Sequence, residues 1–226
     1  MELLDVMRTT PSTREFTADP LPDEVLYDIL DAARFAPNGG NRQAWKVVVV
    51  RDPATKRRIA DLYDLGMREY VAHAAAGLVP FVANEAHSRS EPAVDLQVAR
   101  QQPLPMSTDY LAECPVMLVL LLDLSNCSAV DSGLDRLSIS AGASIYPFAH
   151  NVLLAARERG FGGHFTSVLA RQEPALRELL GVPRQYVLAT MLPLGKPVKE
   201  IRKLRRTPVE EFTTVERFDG PAFTRA

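Results

Sequence analysis

Apolar positions recur at helical spacing in an early segment of the chain, residues 22 to 36. Spacings of three and four residues place such side chains on one face of a helix. Pro22 suits the first turn, where its fixed φ and missing N–H carry no cost. The pattern therefore predicts an amphipathic helix, and its apolar stripe consists of Val25, Leu26, Ile29, Leu30 and Ala33.

Three other stretches are continuous apolar runs, which predict buried strands. They cover residues 46 to 51, 115 to 123 and 186 to 195. Pro193 is expected to interrupt the last strand, because proline cannot donate a ladder hydrogen bond. Helical patterns cover residues 53 to 77, 141 to 159 and 172 to 180. In the second of these helices, Pro147 is expected near the first turn and Gly160 as the stop.

Two segments have no sustained apolar period. Residues 84 to 109 mix charges, prolines and a QQP step, which is typical of an excursion or lid. Residues 203 to 226 are basic and then weakly apolar, so we expect an arm that lies against another surface. A chain of 226 residues with 46% apolar content can still fill one sizeable core. We therefore expect a single domain over residues 1 to 226.

Charge and cysteine content limit the partners. A net charge of -2 and a pI near 6.1 do not suggest the basic patch of a nucleic-acid-binding protein. Cys114 and Cys127 are spaced as neither a zinc pair nor a redox CxxC motif, so free thiols in a reducing compartment are expected. The N-terminus has no basic leader pattern, and no apolar stretch approaches bilayer length. We expect a cytoplasmic protein without nucleic-acid or membrane partners.

The segment RTTPSTREF near the N-terminus concentrates side chains that can hold a phosphate. Five donors lie within seven positions, namely Arg8, Thr9, Thr10, Ser12 and Arg14. A guanidinium group fits a phosphate as a forked donor. A solvated loop whose hydroxyls cap the local backbone explains the same residues. Both interpretations stay open on this segment alone.

A second polar cluster occupies residues 37 to 43 (PNGGNRQ), between the first predicted helix and strand. Its glycines allow close approach of the backbone, and its amides both donate and accept hydrogen bonds. Such a loop can hold the edge of a polar ring. A structural turn explains the glycines equally well, but it does not require Asn38, Asn41 and Gln43 together.

Two more segments are candidates for ligand contact. Residues 160 to 164 (GFGGH) follow a helix, where exposed backbone N–H groups can face a ligand or the glycines can serve as a helix cap. The order is the reverse of a Rossmann fingerprint, which opens a helix. Lys203, Arg205 and Arg206 form a basic cluster that could reach the same phosphate as Arg14, although a solvated charge run is the simpler interpretation.

The remaining motifs argue against other enzyme classes. No HExxH or comparable ligand spacing links the histidines, so we expect no metal site. Lone histidines such as His164 are more often structural or surface residues. No GxSxG elbow or Walker loop is present, which disfavours common hydrolases and NTP-binding proteins.

Taken together and in their order, these segments resemble the nitroreductase family. The blocks are RTTPSTREF, AARFAPNGGNRQAWKVVVVRD, GASIYPFAHNVLLAARERGFGG, LLGVP and LATMLPLGKP, and they extend over roughly residues 1 to 210. The first two are similar to the family's Arg-Ser-x-Arg-x-Phe start and its Ala-Pro-Ser-Gly-Gly-Asn-x-Gln-Pro-Trp loop. Pro11, Ala44 and His150 depart from the family pattern. Pro11 stands where a basic residue is common, which leaves that phosphate contact to a residue such as Arg8.

The resemblance implies an α+β fold with a central, mostly antiparallel sheet flanked by helices. It implies an intertwined homodimer with FMN at the interface, and transient binding of NAD(P)H as reductant. The expected activity is hydride transfer through the flavin to a small organic acceptor such as a nitroaromatic compound or a quinone. A specialised branch that fragments flavin or removes halogen, and an FMN-binding protein without turnover, are the alternatives.

The resemblance also implies positions for the cofactor-binding residues, and it assigns no catalytic side chain. Phosphate and pyrimidine would be held by Arg8, Ser12, Arg14 and Arg206. The ribityl chain and ring would be lined by Pro37, Asn38, Gly39, Asn41 and Gln43. The ring nitrogen N5 would face Gly162 and Gly163. The partner chain would supply Ser144, Ile145 and Tyr146.

Overall fold

A computed structural model describes residues 1–81 and 94–225. The helices that it contains are α1 (Leu3–Thr9), α2 (Asp23–Ala33), α3 (Pro53–Ala75), α4 (Leu96–Gln101), α5 (Tyr110–Glu113), α6 (Tyr146–Glu158) and α7 (Glu173–Leu180). The strands are β1 (Trp45–Val50), β2 (Val116–Asp123), β3 (Gly162–Gly163) and β4 (Tyr186–Gly195). Short 3-10 turns cover Gly39–Asn41, Ser140–Ser144, Val168–Gln172 and Val209–Glu211.

The four strands form one antiparallel sheet in the order β1-β2-β4-β3. Strand β2 lies in the middle, and its residues from Val116 to Leu122 are all buried. A strand that is apolar at every position must be covered on both faces of its sheet. The predicted α+β fold with a mostly antiparallel sheet is therefore confirmed.

Helices cover both faces of the sheet and create two apolar cores. Leu118 and Leu120 of β2 belong to one core, into which α2 and α6 also pack. Met117 and Val119 point to the other face and belong to the core shared with α3, α5 and α7. This division follows from the alternation of side chains along a strand. The apolar stripe predicted for α2 is buried at Leu26, Ile29 and Ala33.

Three predicted elements differ in detail from the observed ones. The strand expected to be buried at residues 46 to 51 is β1, which lies at the edge of the sheet, and of its residues only Val50 is buried. The helix expected from residue 141 begins at Tyr146, because a 3-10 turn over residues 140–144 comes first; Pro147 does lie in its first turn. Pro193 does not interrupt β4, which continues to Gly195. Met191 exchanges two backbone hydrogen bonds with Thr166, so the nitrogen of Pro193, two residues later, also faces away from β2. On that side the described partners of the strand are the two-residue β3 and the bridge to Thr166, and no bond to β2 is lost.

The predicted excursion at residues 84 to 109 lies partly outside the described residues, which resume at residue 94. Its described part contains α4, and the Asp95 carboxylate accepts hydrogen bonds from the backbone of Gln97 and Val98 at the start of that helix. The predicted arm at residues 203 to 226 is mostly exposed up to residue 225, and Phe218 is fully accessible. The excursion, the arm and the single-domain assignment remain predictions.

None of the helices in the described ranges has both the length and the apolar character needed to cross a bilayer.

A buried carboxylate ties α3 to two other segments. The side chain of Glu69 has no solvent exposure. One of its oxygens accepts from Arg100 Nε at 2.8 Å, and the other accepts from Arg171 Nε at 2.8 Å. Arg100 belongs to α4 and Arg171 to the turn before α7. Because a buried carboxylate is stable only when it is paired, these bonds fix the three segments together.

We predict that Glu69→Gln lowers the free energy of unfolding by about 1.5–3 kcal/mol, because it weakens charge-assisted hydrogen bonds without changing the side-chain volume. Urea denaturation of the purified protein measures this value. Glu178→Gln on the exposed side of α7 is the matched control and should change stability by no more than about 0.5 kcal/mol. Equal effects of the two substitutions would contradict the structural role of Glu69.

Candidate functional site

The N-terminal segment lies along the short edge strand β3. Ser12 forms a parallel bridge with Gly163, and the backbone N–H of Thr13 donates to the Gly163 carbonyl at 2.9 Å. Thr13 is buried, whereas Ser12 and Arg14 are exposed on either side of it. The pairing leaves Ser12 and Arg14 exposed at the surface, where both can contact a ligand.

The two glycines of β3 are required by packing. A Cβ atom at Gly162 would come within 2.7 Å of the Thr13 hydroxyl oxygen, and one at Gly163 would collide with the Pro193 carbonyl oxygen. Gly160 has a different role: it follows Arg159, the C-terminal cap of α6, and adopts a left-handed φ of 81°, as a helix stop does. The expectation that Gly160 ends the helix is confirmed. Gly162 and Gly163 are both buried, and they bring the N-terminal segment against the sheet.

Two side chains that the sequence analysis did not assign lie beside Arg14. The Tyr110 hydroxyl is 3.2 Å from His164 Nε2, and His164 Nδ1 is 3.1 Å from the Thr13 carbonyl oxygen. Burial, reinforced by the positive charge of Arg14, lowers the pKa of His164 to about 4. Burial also raises the pKa of Tyr110 well above its usual value, and Arg14 opposes that rise. At neutral pH both groups are uncharged, so Arg14 carries the charge of this cluster.

The loop at residues 37–43 is held by its own amides. Asn38 Oδ1 accepts from the backbone N–H of Gln43 at 2.9 Å, and Asn38 Nδ2 donates to the Ala36 carbonyl at 3.3 Å. Asn41 and Gln43 adopt positive φ values of 52° and 50°. Left-handed backbone at residues other than glycine is uncommon and concentrates at ligand sites. The Asn38 side chain shapes the loop, while those of Asn41 and Gln43 are exposed.

The loop also contacts the turn before α6. The backbone N–H of Gly39 donates to Ser144 Oγ at 3.3 Å, and Arg42 donates to Ser128 Oγ at 2.9 Å. Ser144 and Ile145 are buried, whereas the Tyr146 side chain is 44% exposed and lies against Phe165. The structure thus brings Gly39 together with Ser144 in one chain. Pro37 is exposed at the start of the loop.

The two groups of donors lie at different ends of the sheet. Gly163 pairs with Leu194, which pairs with Val116 at the start of β2. Ala44, directly after the loop at 37–43, accepts a backbone hydrogen bond from Asp123 at the end of β2. From Val116 to Asp123 the strand advances by about 23 Å at the usual rise. One chain therefore presents the segment at residues 12–14 and the loop at residues 37–43 as separate surfaces.

The remaining predicted cations are exposed. Arg8 lies on α1, and Arg206 donates to the Arg205 carbonyl at 2.8 Å. Within the described residues, no hydrogen bond joins Arg206 to Arg8, Ser12 or Arg14. In the same part of the chain, no three histidine, cysteine, aspartate or glutamate side chains are grouped so that they could hold a metal ion.

Comparisons with known proteins identify the family of this chain. The model of the Nitroreductase family matches residues 7–196. The NADH dehydrogenase of Thermus thermophilus is 27% identical over 88% of this chain and 88% of its own length. The 5,6-dimethylbenzimidazole synthase of Rhodospirillum rubrum is 27% identical over 83% of this chain and 78% of its own length.

A solved structure shows that the fold is shared. Oxidised iodotyrosine deiodinase bound to FMN and 3-iodo-L-tyrosine superimposes with a TM-score of 0.67 at 20% identity, covering 96% of this chain and 100% of that one. The family match includes both the segment at residues 12–14 and the glycines of β3. This chain belongs to the nitroreductase family.

Proposed function

We propose that this chain is an FMN-dependent oxidoreductase that passes hydride from NAD(P)H to a small organic acceptor such as a nitroaromatic compound or a quinone. The observation that carries the proposal is the exposed pair Ser12 and Arg14, fixed by backbone pairing against β3 in a member of a flavoprotein-containing family. The iodotyrosine deiodinase that shares this fold binds FMN in its solved structure.

The donors of the chain fit the chemistry of FMN. Arg14 offers a forked cation and Ser12 a hydroxyl, which together suit a phosphate or the polar edge of a pyrimidine ring. The exposed amides of Asn41 and Gln43 can both donate and accept, as ribityl hydroxyls and ring carbonyls require. Arg8 adds a second exposed cation in the same N-terminal segment as Ser12 and Arg14.

When bound, FMN would supply the hydride chemistry, as cofactors generally do. The protein would bind and orient it. Arg14 would place a positive charge beside the pyrimidine edge and favour negative charge there. Arg8 and Arg206 would neutralise the phosphate. The β3 backbone, made of buried glycines, would border the ring without a side chain to block it.

We propose that two copies of the chain complete the site. The segment at residues 12–14 and the loop at residues 37–43 lie at different ends of one sheet, so a second copy would allow both to reach one cofactor. Solvent-exposed apolar side chains support this association of two copies. They lie on α1 and on the C-terminal arm, and include Leu3, Leu4, Met7, Phe212 and Phe218. The arm would carry Arg206 to the partner's phosphate.

The names of the relatives favour a second group of functions. One is a 5,6-dimethylbenzimidazole synthase, and the deiodinase structure contains 3-iodo-L-tyrosine. This chain could instead belong to a specialised branch that fragments flavin or removes halogen. An FMN-binding protein without turnover is a third candidate. Reduction by NAD(P)H followed by reoxidation with nitroaromatics, quinones or iodotyrosine would separate these functions.

The freshly purified protein is expected to be yellow and to release FMN on denaturation. Anaerobic addition of NADH or NADPH should bleach the visible flavin bands, and a nitroaromatic compound or quinone should restore them. Absorption spectra and mass analysis of the released chromophore measure these outcomes. A colourless protein that also does not bind added FMN would contradict the proposed function. A yellow protein whose flavin NAD(P)H cannot reduce would favour FMN binding without turnover.

Arg14→Ala is expected to raise the dissociation constant for FMN by about tenfold to a hundredfold, because it removes a charge-assisted hydrogen bond worth about 1.5–3 kcal/mol. Reduction by the nicotinamide should also slow. Fluorescence of released FMN and stopped-flow absorbance report these two quantities. Arg58→Ala removes an exposed arginine from α3 and should leave both unchanged. If Arg14→Ala behaves like Arg58→Ala, the placement of FMN at this segment is wrong.

Removal of residues 203 to 226 is expected to weaken both dimerisation and FMN retention, because the exposed phenylalanines and Arg206 are lost together. Sedimentation analysis gives the oligomeric state, and absorbance gives the FMN content. Removal of Arg225 and Ala226 alone is the control and should change neither. An intact chain that retains FMN as a monomer would contradict the proposal of a site shared between two copies.

A further inference from the structure

A buried histidine and a tyrosine form a hydrogen-bonded pair beside Thr13, the residue that precedes Arg14 in the candidate site. The Tyr110 hydroxyl is 3.2 Å from His164 Nε2, and the two rings are tilted by 54° at a centroid distance of 5.5 Å. Besides burial, Tyr63 raises the pKa of the same hydroxyl and Arg14 lowers it, so both side chains are near it. His164 is only 1% exposed, so the cluster extends from the protein surface at Arg14 into the core.

The direction of these hydrogen bonds follows from the Thr13 carbonyl. That oxygen can only accept, so His164 Nδ1, 3.1 Å away, must carry the ring hydrogen. A neutral imidazole then has a lone pair on Nε2, which accepts the hydrogen of the Tyr110 hydroxyl. The hydroxyl oxygen consequently turns its own lone pairs away from His164 and can accept from the Arg14 guanidinium.

The protonation states of His164 and Tyr110 support this arrangement of hydrogen bonds. His164 stays neutral at physiological pH, because burial and the charge of Arg14 lower its pKa to about 4. Tyr110 stays protonated, because burial and the neighbouring Tyr63 raise its pKa despite Arg14. Neither partner adds a charge that would compete with a ligand for the guanidinium.

The three residues come from segments that other contacts hold in place. Arg14 follows the backbone pairing of Thr13 with Gly163, and His164 directly follows β3. Tyr110 begins α5, a helix that packs against α3. The hydroxyl of Tyr110 therefore has a defined position relative to the Arg14 backbone.

We propose that Tyr110 and His164 are positioning residues that hold the Arg14 guanidinium toward the flavin, and that they thereby set FMN affinity and the reduction potential of the bound cofactor. This inference rests on the proposed function. A free arginine side chain loses rotamer entropy when it binds, and a side chain that is held beforehand loses less. Hydrogen bonds from neighbouring residues to a ligand-contacting side chain commonly hold that side chain in place before the ligand binds.

The test is a double-mutant cycle of Arg14→Ala and Tyr110→Phe in the FMN-containing protein. The readouts are FMN dissociation on dilution, followed by its fluorescence, and the midpoint potential of the bound flavin. Tyr110→Phe alone is expected to raise the dissociation constant about tenfold, as the loss of one hydrogen bond to a charged group would. In the Arg14→Ala background the same substitution should have almost no further effect, because the group that it positions is absent.

Matched variants separate positioning from structural support. Tyr27→Phe removes an exposed tyrosine hydroxyl from α2 and should change neither readout. His164→Gln retains an acceptor for the Tyr110 hydroxyl and should keep FMN affinity closer to that of the parent protein than His164→Leu does. Thermal unfolding of each variant checks that the fold is retained.

The outcomes distinguish this inference from the proposed function. Full additivity of Arg14→Ala and Tyr110→Phe would show that Tyr110 acts independently of Arg14, and would overturn the inference alone. An unchanged affinity and potential in Tyr110→Phe would overturn it as well. If Arg14→Ala itself changes neither readout, the assignment of FMN to this segment is wrong, and the inference is lost with it.

Discussion

The close approach of the β3 backbone to β4 and to the N-terminal segment is the constraint on which the candidate site depends. A side chain at Gly163 would collide with the Pro193 carbonyl, and one at Gly162 would meet the Thr13 hydroxyl. Because neither residue has a Cβ atom, Thr13 can pair with Gly163 through the backbone. That pairing turns Ser12 and Arg14 outward. The two glycines thus allow the close packing of these backbones, and the exposed positions of Ser12 and Arg14 follow from that packing.

The buried sheet explains why polar donors collect at its ends. Seven consecutive residues of β2 are buried between two layers of helices, and a polar side chain there would have to be fully paired. The exposed donors are instead found beside β3 and in the loop before β1. This distribution places the two groups on separate surfaces of one chain. In the function proposed above, a second copy would unite them, and the exposed apolar side chains on α1 and the arm support that proposal.

The sequence predicted most of the fold because its periodic signals are local. The strands β1, β2 and β4 and the stripe of α2 could be read directly from the order of apolar residues, although β1 lies at the sheet edge and is buried only at Val50. The contacts of His164 with Tyr110 and Thr13 could not be predicted in this way. Tyr110 and His164 are 54 positions apart in the sequence, and His164 and Thr13 are 151 apart. A lone histidine carries no spacing that reveals such a role. The same limit applies to Glu69, whose partners come from two distant segments.

The division between local and distant signals also explains why the sequence motifs support the proposed cofactor more closely than they support any one acceptor. The motifs that identify the family, at residues 8–16 and 37–45, are donors and glycines suited to an extended polar cofactor. An acceptor would approach the exposed side of that cofactor, where side chains are not required by the fold. Tyr146 and Phe165 lie against each other, and both are partly exposed, so the fold does not fix these two residue types by burial. Relatives with different names can therefore share this scaffold while the residues that meet their acceptors differ.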